Sequence, residues 1–215
     1  MKQTNEVEDD FADIIHPVTV GLEFAGAGVP LPNVNGRPDG LFDHDGQITK
    51  RPVRALTLSM LAPTPGEHLW DIGAGSGSIS IEWLLSHPTC SAVAIESDPV
   101  RATRASANAE RLGADRLRIV QGTAPAALID LECPDAVFIG GGLSDALLDE
   151  LWKKLDPGCR IVANAVTLET EAIVTSWHAR AGGMLQRIQL AEARSIGTKR
   201  GWQSSYPIVQ WSVTR

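Results

Sequence analysis

The stretch "LWDIGAGSGS" joins an apolar run to three alternating glycines, Gly73, Gly75 and Gly77, with Asp71 two residues ahead of the first. Glycines let a backbone turn tightly and approach a ligand closely. A dinucleotide fingerprint needs GxGxxG, but here Ser78 stands where its third glycine falls. A phosphate-binding P-loop needs GxxxxGK followed by Ser or Thr, and the loop has no lysine. Both phosphate chemistries are weakened. A tight turn of small residues by itself also accounts for the glycines.

The ends of the next two predicted strands narrow the choice. "AIESD" puts Glu96 and Ser97 at one strand end, and "VQGTAPAAL" puts Gly122, Thr123 and Ala124 at the next. S-adenosylmethionine suits this ordered set. Asp71 can support its ammonium group, directly or through water, while Gly73, Ala74, Gly75, Gly77 and Ser78 flank the methionine portion. Glu96 offers two acceptor oxygens to the ribose hydroxyls, and Gly122, Thr123 and Ala124 line the adenine. Glu96 alone is a weak signal, because acidic residues commonly cap helices; Asp98 is the candidate cap here. The order of the three strand ends is the stronger signal.

The elements that must hold these residues follow from periodicity. "QITKRPVRALTLSMLAP" predicts a helix with Val53, Leu56, Leu58, Met60 and Leu61 sharing much of one face, ended by Pro63 and Pro65. "HLWDIG", "SAVAIES", "LRIVQG", "DAVFIGG" and "CRIVANAV" read as strands. "SISIEWLLSHP", "DPVRATRASANAERLG", "DALLDELWKKLDPG" and "TLETEAIVTSWHARAGG" read as helices. "LQRIQLAEAR" and "YPIVQWSVT" are two closing strands with no helix between them, so they pair antiparallel. The alternation implies α/β architecture, a Rossmann-like, doubly wound, mostly parallel sheet of seven strands with a C-terminal antiparallel hairpin. Ligands of such sheets bind beyond the carboxyl ends of the strands. Residues 1–40, rich in Gly, Pro and Asn, read as a linker or arm, partly disordered, with "HPVTVGLEF" one short strand; 41–215 read as the catalytic domain.

Composition sets the outer limits. The chain has 215 residues and a formal net charge of −7, from 19 Lys+Arg against 26 Asp+Glu. An acidic chain is not the usual nucleic-acid binder, because phosphate neutralisation needs a basic face; net charge leaves room for a local basic patch, but nucleic acid is not expected as a partner. Cys90, Cys133 and Cys159 are odd in number and far apart, without CxxC or metal-ligand spacing, which fits a reducing cytoplasm and no metal. The five histidines show no ligand spacing either. No apolar run approaches the roughly 20 residues that span a bilayer, so no membrane partner is expected. Trp70, Trp83, Trp152 and Trp177 fall in predicted core elements and read as packing.

On "DGLFDHDGQITKRPVRALTLSMLAPTPGEHLWDIGAGSGSISIEWL", "AIESDPVRATRASANAERLG", "VFIGGG" and "GCRIVANAVTLET", the chain resembles the decarboxylating precorrin methyltransferases of cobalamin biosynthesis. "ITKRPVRAL" and "RIVANAVTLET" are the segments most specific to that family; the glycine loop marks only class I S-adenosylmethionine-dependent methyltransferases. The resemblance implies methylation of C15 of a precorrin-6B-type macrocycle with loss of carbon dioxide from the ring C (C12) acetate. Residues 17–42 resemble the segment that follows an N-terminal tetrapyrrole C5-methyltransferase domain in the bifunctional form, so the chain is expected to be the C-terminal domain alone. A homotetramer is implied as well.

Within that resemblance Ile48 and Thr49 help to cover the cofactor. Lys50, Arg51 and Arg54 are expected either to pair with peripheral carboxylates of the macrocycle or to form a solvated helix start, and Arg194, Lys199 and Arg200 either to form a second basic rim or lid or to sit on a plain exposed charged loop. Gly140, Gly141 and Gly142 leave space above the methyl group; a plain strand-to-helix turn is the alternative. Thr49, Lys50 and Asn164 are candidate catalytic residues, and Thr167 is expected near the site. No Ser/His/Asp or Cys/His constellation occurs. Two further readings stay open: a methyltransferase of the same fold acting on RNA or protein, and a non-catalytic S-adenosylmethionine-binding module.

Overall fold

A computed structural model describes residues 31–215. The predicted strand in "HPVTVGLEF" and residues 1–30 of the arm fall outside the described residues. The chain runs α1 (Arg51–Leu61), β1 (His68–Ile72), α2 (Ser78–Ser86), β2 (Ser91–Glu96), α3 (Pro99–Arg111), β3 (Arg118–Gln121), β4 (Ala136–Ile139), α4 (Asp145–Lys154), β5 (Arg160–Ala165) and α5 (Leu168–Ala181). Four strands close it: β6 (Met184–Ile188), β7 (Ala191–Ile196), β8 (Lys199–Ser204) and β9 (Ile208–Thr214).

Seven strands form one sheet in the order β3-β2-β1-β4-β5-β9-β6. β1 to β5 pair in parallel, and β9 is antiparallel to both β5 and β6. The expected doubly wound α/β sheet with its antiparallel end is therefore the one the chain adopts. β1, β2 and β4 are covered on both faces, which is why they read as continuous apolar runs rather than alternating ones. The core is continuous from Trp70 and Ile72 through Val137 and Ile139 to Ile161, Trp177 and Trp211.

Two sequence expectations change. "LQRIQLAEAR" is not one strand: β6 ends at Ile188, and β7 turns away to pair only with β8 in a separate two-stranded ribbon. Every residue of β7 is exposed, so no buried face fixed it to the main sheet. In α1 the buried face is Val53, Arg54, Thr57, Leu58 and Leu61, while Leu56 is exposed. Packed chain also extends N-terminal of residue 41, because the Gly36 and Arg37 amides donate to the buried Glu82. Among the described residues no helix is long and apolar enough to cross a membrane.

Candidate active site

The sheet order reverses between β1 and β4, because the chain steps outward to β2 and β3 and then returns to the other side of β1. The crevice beyond the carboxyl ends of strands at such a reversal is where ligands of doubly wound sheets bind. A cleft of about 790 Å³ opens there. Its walls include Ile48, Thr49, Lys50, Gly73, Ala74, Gly75, Ser78, Glu96, Ser97, Gly122, Thr123, Ala124, Gly140, Gly141, Gly142 and Asn164, so most of the residues singled out from the sequence converge.

Backbone bonds continue the strand pairing into the loops. Gly73 N and Ala74 N donate to Ile95 O, Gly122 N donates to Glu96 O, and Gly140 N donates to Ile72 O. Each loop is thereby held at a fixed height above the sheet. Gly73, Gly75 and Gly77 all have positive φ (72°, 57° and 73°), the region L side chains avoid. Gly77 caps α2 and packs on Ala105; it does not line the cleft. A Cβ on Gly140 would meet the Phe138 ring at 2.8 Å, so this glycine makes room for Phe138, whereas Gly142 faces open space.

Glu96 is almost fully buried, and its two oxygens are aimed by backbone amides. Gly75 N donates to Oε2 at 2.8 Å and Asp98 N to Oε1 at 2.9 Å. Asp98, not Glu96, caps α3, accepting from Val100 N and Arg101 N. Glu96 is thus left with spare lone pairs facing the cleft.

Asp71 lies beneath the loop rather than in its wall. Oδ2 accepts from Ser80 N at 3.1 Å and from Ser80 Oγ at 2.5 Å, while Oδ1 is buried without a partner. Full burial pushes its carboxyl up to about 6, against the opposing pull of the Ser80 hydrogen bonds. An unpartnered buried carboxylate oxygen next to a glycine cradle, with Glu96 one strand away, fits the ammonium and ribose ends of S-adenosylmethionine.

Several expectations need correction. Arg54 is not on a substrate-facing rim: it is fully buried, with Nε 2.7 Å from Glu82 Oε1 and a terminal nitrogen 2.9 Å from Asp39 Oδ1. Arg51 is exposed and also lies outside the cleft wall. Arg194, Lys199 and Arg200 lie outside the cleft wall on the exposed β7–β8 ribbon, a place open both to a basic rim and to a plain charged loop. Thr167 caps α5, its Oγ1 accepting from Thr170 N. Asn164 does reach the cleft. Its amide donates to Thr57 Oγ1 at 3.0 Å and accepts from Gln210 Nε2 at 2.8 Å, and Gln210 is itself fixed by Gln186 at 2.7 Å.

Sequence reasoning missed Gln47, Val53, Ile79, Arg101, Phe138, Val166, Tyr206 and Ile208 in the wall. Phe138 sits two residues before Gly140 on β4, and Tyr206 just precedes β9. Proximity to strand ends was the available signal for both. Tyr206 and Val166 are strongly exposed and give the cleft an apolar lip away from Glu96.

Comparison with known proteins names the architecture. A family model described as a precorrin methyltransferase domain matches residues 40–215. A relative from Sinorhizobium sp, named as a decarboxylating precorrin-6Y C(5,15)-methyltransferase, is 53% identical over 207 residues, covering 94% of this chain and 50% of the relative. The chain spans about half the length of the relatives of that name. A shorter one from Saccharolobus solfataricus, named as a probable decarboxylating cobalt-precorrin-6B C(15)-methyltransferase, is 34% identical over 176 residues, covering 78% of this chain and 88% of the relative. The crystal structure of the C-terminal domain of precorrin-6Y C5,15-methyltransferase from Rhodobacter capsulatus is 56% identical, with a TM-score of 0.83, covering 86% of this chain and 100% of that one. The fold is that of the class I S-adenosylmethionine-dependent methyltransferases. With a match that runs through the whole sheet and every loop of the cleft, this chain belongs to the precorrin methyltransferase family.

Proposed function

We propose that this chain methylates C15 of a precorrin-6B-type macrocycle and removes the ring C (C12) acetate carboxylate as carbon dioxide, in cobalamin biosynthesis. The observation that carries the reading is the family match across residues 40–215, which takes in all the strand ends that build the cleft. When bound, S-adenosylmethionine supplies an electrophilic methyl group on a sulfonium.

The chain's own residues bind and align. Glu96, its oxygens pre-aimed by Gly75 N and Asp98 N, accepts from the ribose hydroxyls. Asp71 Oδ1, buried beneath the loop and outside the cleft wall, supports the ammonium group through a bridging water. Gly73 to Gly75 admit the methionine backbone, and Gly122, Thr123 and Ala124 border the adenine. Gly141 and Gly142 leave a flat macrocycle room to approach, with Tyr206 and Val166 at the far lip. Lys50 in the wall, and Arg194, Lys199 and Arg200 on the ribbon, meet peripheral carboxylates.

The acceptor carbon is enamine-like and already nucleophilic, and loss of carbon dioxide rather than of a proton restores neutrality. The chain therefore works mainly through alignment and electrostatics. Among the described residues no histidine lines the cleft, and Glu96 is taken up by backbone amides and the ribose hydroxyls. A tight ion pair on the departing carboxylate would stabilise it and slow its loss, so the cations hold the other side chains. Thr49, Lys50 and Asn164, all in the cleft wall, are the polar groups assigned to the reacting region in this reading.

The same reading gives the chain a reducing cytoplasmic setting, supported by the free Cys90, Cys133 and Cys159, and a homotetrameric state, with a C5-methyltransferase domain as partner in a longer protein. The test offers methyl-labelled S-adenosylmethionine with either a precorrin-6B-type tetrapyrrole or RNA. Label entering the tetrapyrrole supports the reading; label entering RNA alone contradicts it.

A further inference from the structure

We infer that Arg54 and Glu82 are positioning residues for cofactor binding: together they fasten residues 36–50 as a strap whose last five residues form one wall of the cleft. The inference rests on the cofactor reading above and assigns this buried pair a role through the strap, since neither residue lines the cleft.

The fastening begins where the strap presses on α1. Gly36 has φ +79°, and a Cβ there would lie 2.8 Å from Ala55 Cβ. Gly36 N donates to Glu82 Oε2 at 2.7 Å and Arg37 N to Glu82 Oε1 at 2.9 Å. Glu82 sits on α2, the helix that the glycine loop opens into. Arg54 faces it from α1 and reaches both ends of the strap. It donates to Arg37 O and Asp39 Oδ1 at the near end and to Thr49 O at the far end. Its guanidinium also stands 4.8 Å over the Phe42 ring. One guanidinium thus carries α2, the entry of the strap and the cleft-lining Thr49 in a single planar fork, a geometry a lysine lacks.

The middle of the strap is held separately. The Asn108 amide on α3 accepts from Asp43 N and donates to Asp43 O and to Ser76 O, tying strap to glycine loop. Asp45 pairs with Arg101 at 2.8 Å and with Arg104 at 3.4 Å. The result is close approach: a Cβ on Gly75 would come within 3.7 Å of Gln47 O. Gln47, Ile48 and Thr49 therefore stand over the loop that admits the methionine portion, and their position is set by Arg54, Glu82, Asn108 and Arg104 outside the cleft together with Arg101 in its wall.

The test measures S-adenosylhomocysteine binding by calorimetry and amide hydrogen exchange over residues 43–50, on the unsubstituted protein and on Glu82→Gln, Arg54→Lys and Asp45→Asn. Asp45 is partly exposed, so its variant keeps the test open if the buried pair does not tolerate change. The expected result is at least tenfold weaker binding in Glu82→Gln and Arg54→Lys, a smaller loss in Asp45→Asn, and faster exchange confined to the strap. In turnover, the donor KM rises while kcat at saturating donor is preserved. Binding within twofold of the unsubstituted protein in every folded variant, whatever the fall in melting temperature, would overturn the inference and leave the pair a purely structural one. Failure of the unsubstituted protein to bind S-adenosylhomocysteine would overturn the cofactor reading itself, and the strap's role with it.

Discussion

Gly73 and Gly141 meet backbone against backbone: a Cβ on Gly73 would lie 2.6 Å from the nitrogen and the Cα of Gly141. The loops after β1 and β4 can lie side by side at the sheet's reversal only because Gly73 carries no side chain; a Cβ on Gly141 would make ordinary contact with Gly73 Cα at 3.6 Å. Gly73→Ala would add both this clash and a left-handed residue, which alone costs about 1–2 kcal/mol. We expect a stability loss above that figure, with S-adenosylhomocysteine binding lost as the two loops separate. Denaturant unfolding and calorimetry check it; a variant of unchanged stability would mean the loops have room to spare.

Glu96→Ala removes the acceptor for Gly75 N and Asp98 N along with the ribose contact. Hydrogen bonds to a charged group contribute about 1.5–3 kcal/mol each, so cofactor affinity should fall by more than tenfold. Unchanged affinity by calorimetry would reject Glu96 as the ribose acceptor.

Asp71 gives a pH dependence with a definite sign. Its carboxyl is raised from 3.8 to about 6 in the folded chain, chiefly by burial. The folded state therefore holds this proton more tightly than the unfolded chain does. The stability it contributes is complete below about pH 4 and is lost as pH rises through about 6, some ~3 kcal/mol in all. Asp71→Asn should flatten the unfolding free energy between those pH values while weakening cofactor binding at neutral pH. An ammonium partner favours the ionised carboxylate, so affinity in the unsubstituted protein should increase as pH passes 6. A pH-independent affinity would remove Asp71 from the ammonium site.

Replacing Arg194, Lys199 and Arg200 together by glutamine probes the ribbon. All three are exposed and none lines the cleft, so cofactor affinity should not change. The tetrapyrrole KM should rise, and its salt dependence should weaken, because exposed charges act over a Debye length of about 10 Å. An unaltered KM would make the ribbon's charges irrelevant to the acceptor.

The legible parts of this molecule were those with a period or a fixed spacing. β1, β2 and β4 are apolar runs closed by Asp71, Glu96 and Gly140, and their order along the chain was enough to place the cleft. The β6–β7 break was not legible, since nothing in "LQRIQLAEAR" separates a sheet strand from an exposed ribbon except what packs on it. Arg54 was misplaced because it follows Lys50 and Arg51 in a basic run. The corrective signal was there: Arg54, Thr57, Leu58 and Leu61 repeat at helical spacing, and Glu82 interrupts the apolar "SISIEWLL". A cation and an anion each on a buried helix face point to a pair. Their partnership is a fact of tertiary packing, as is the strap they hold.

One incubation decides whether this chain is a decarboxylating C15-methyltransferase: the chain with methyl-labelled S-adenosylmethionine and a precorrin-6B-type substrate, followed by mass analysis of the macrocycle. The expected product has gained one labelled methyl group and lost one carbon dioxide. Recovery of unmethylated macrocycle with intact acetate, from protein shown to bind S-adenosylmethionine, would contradict that assignment.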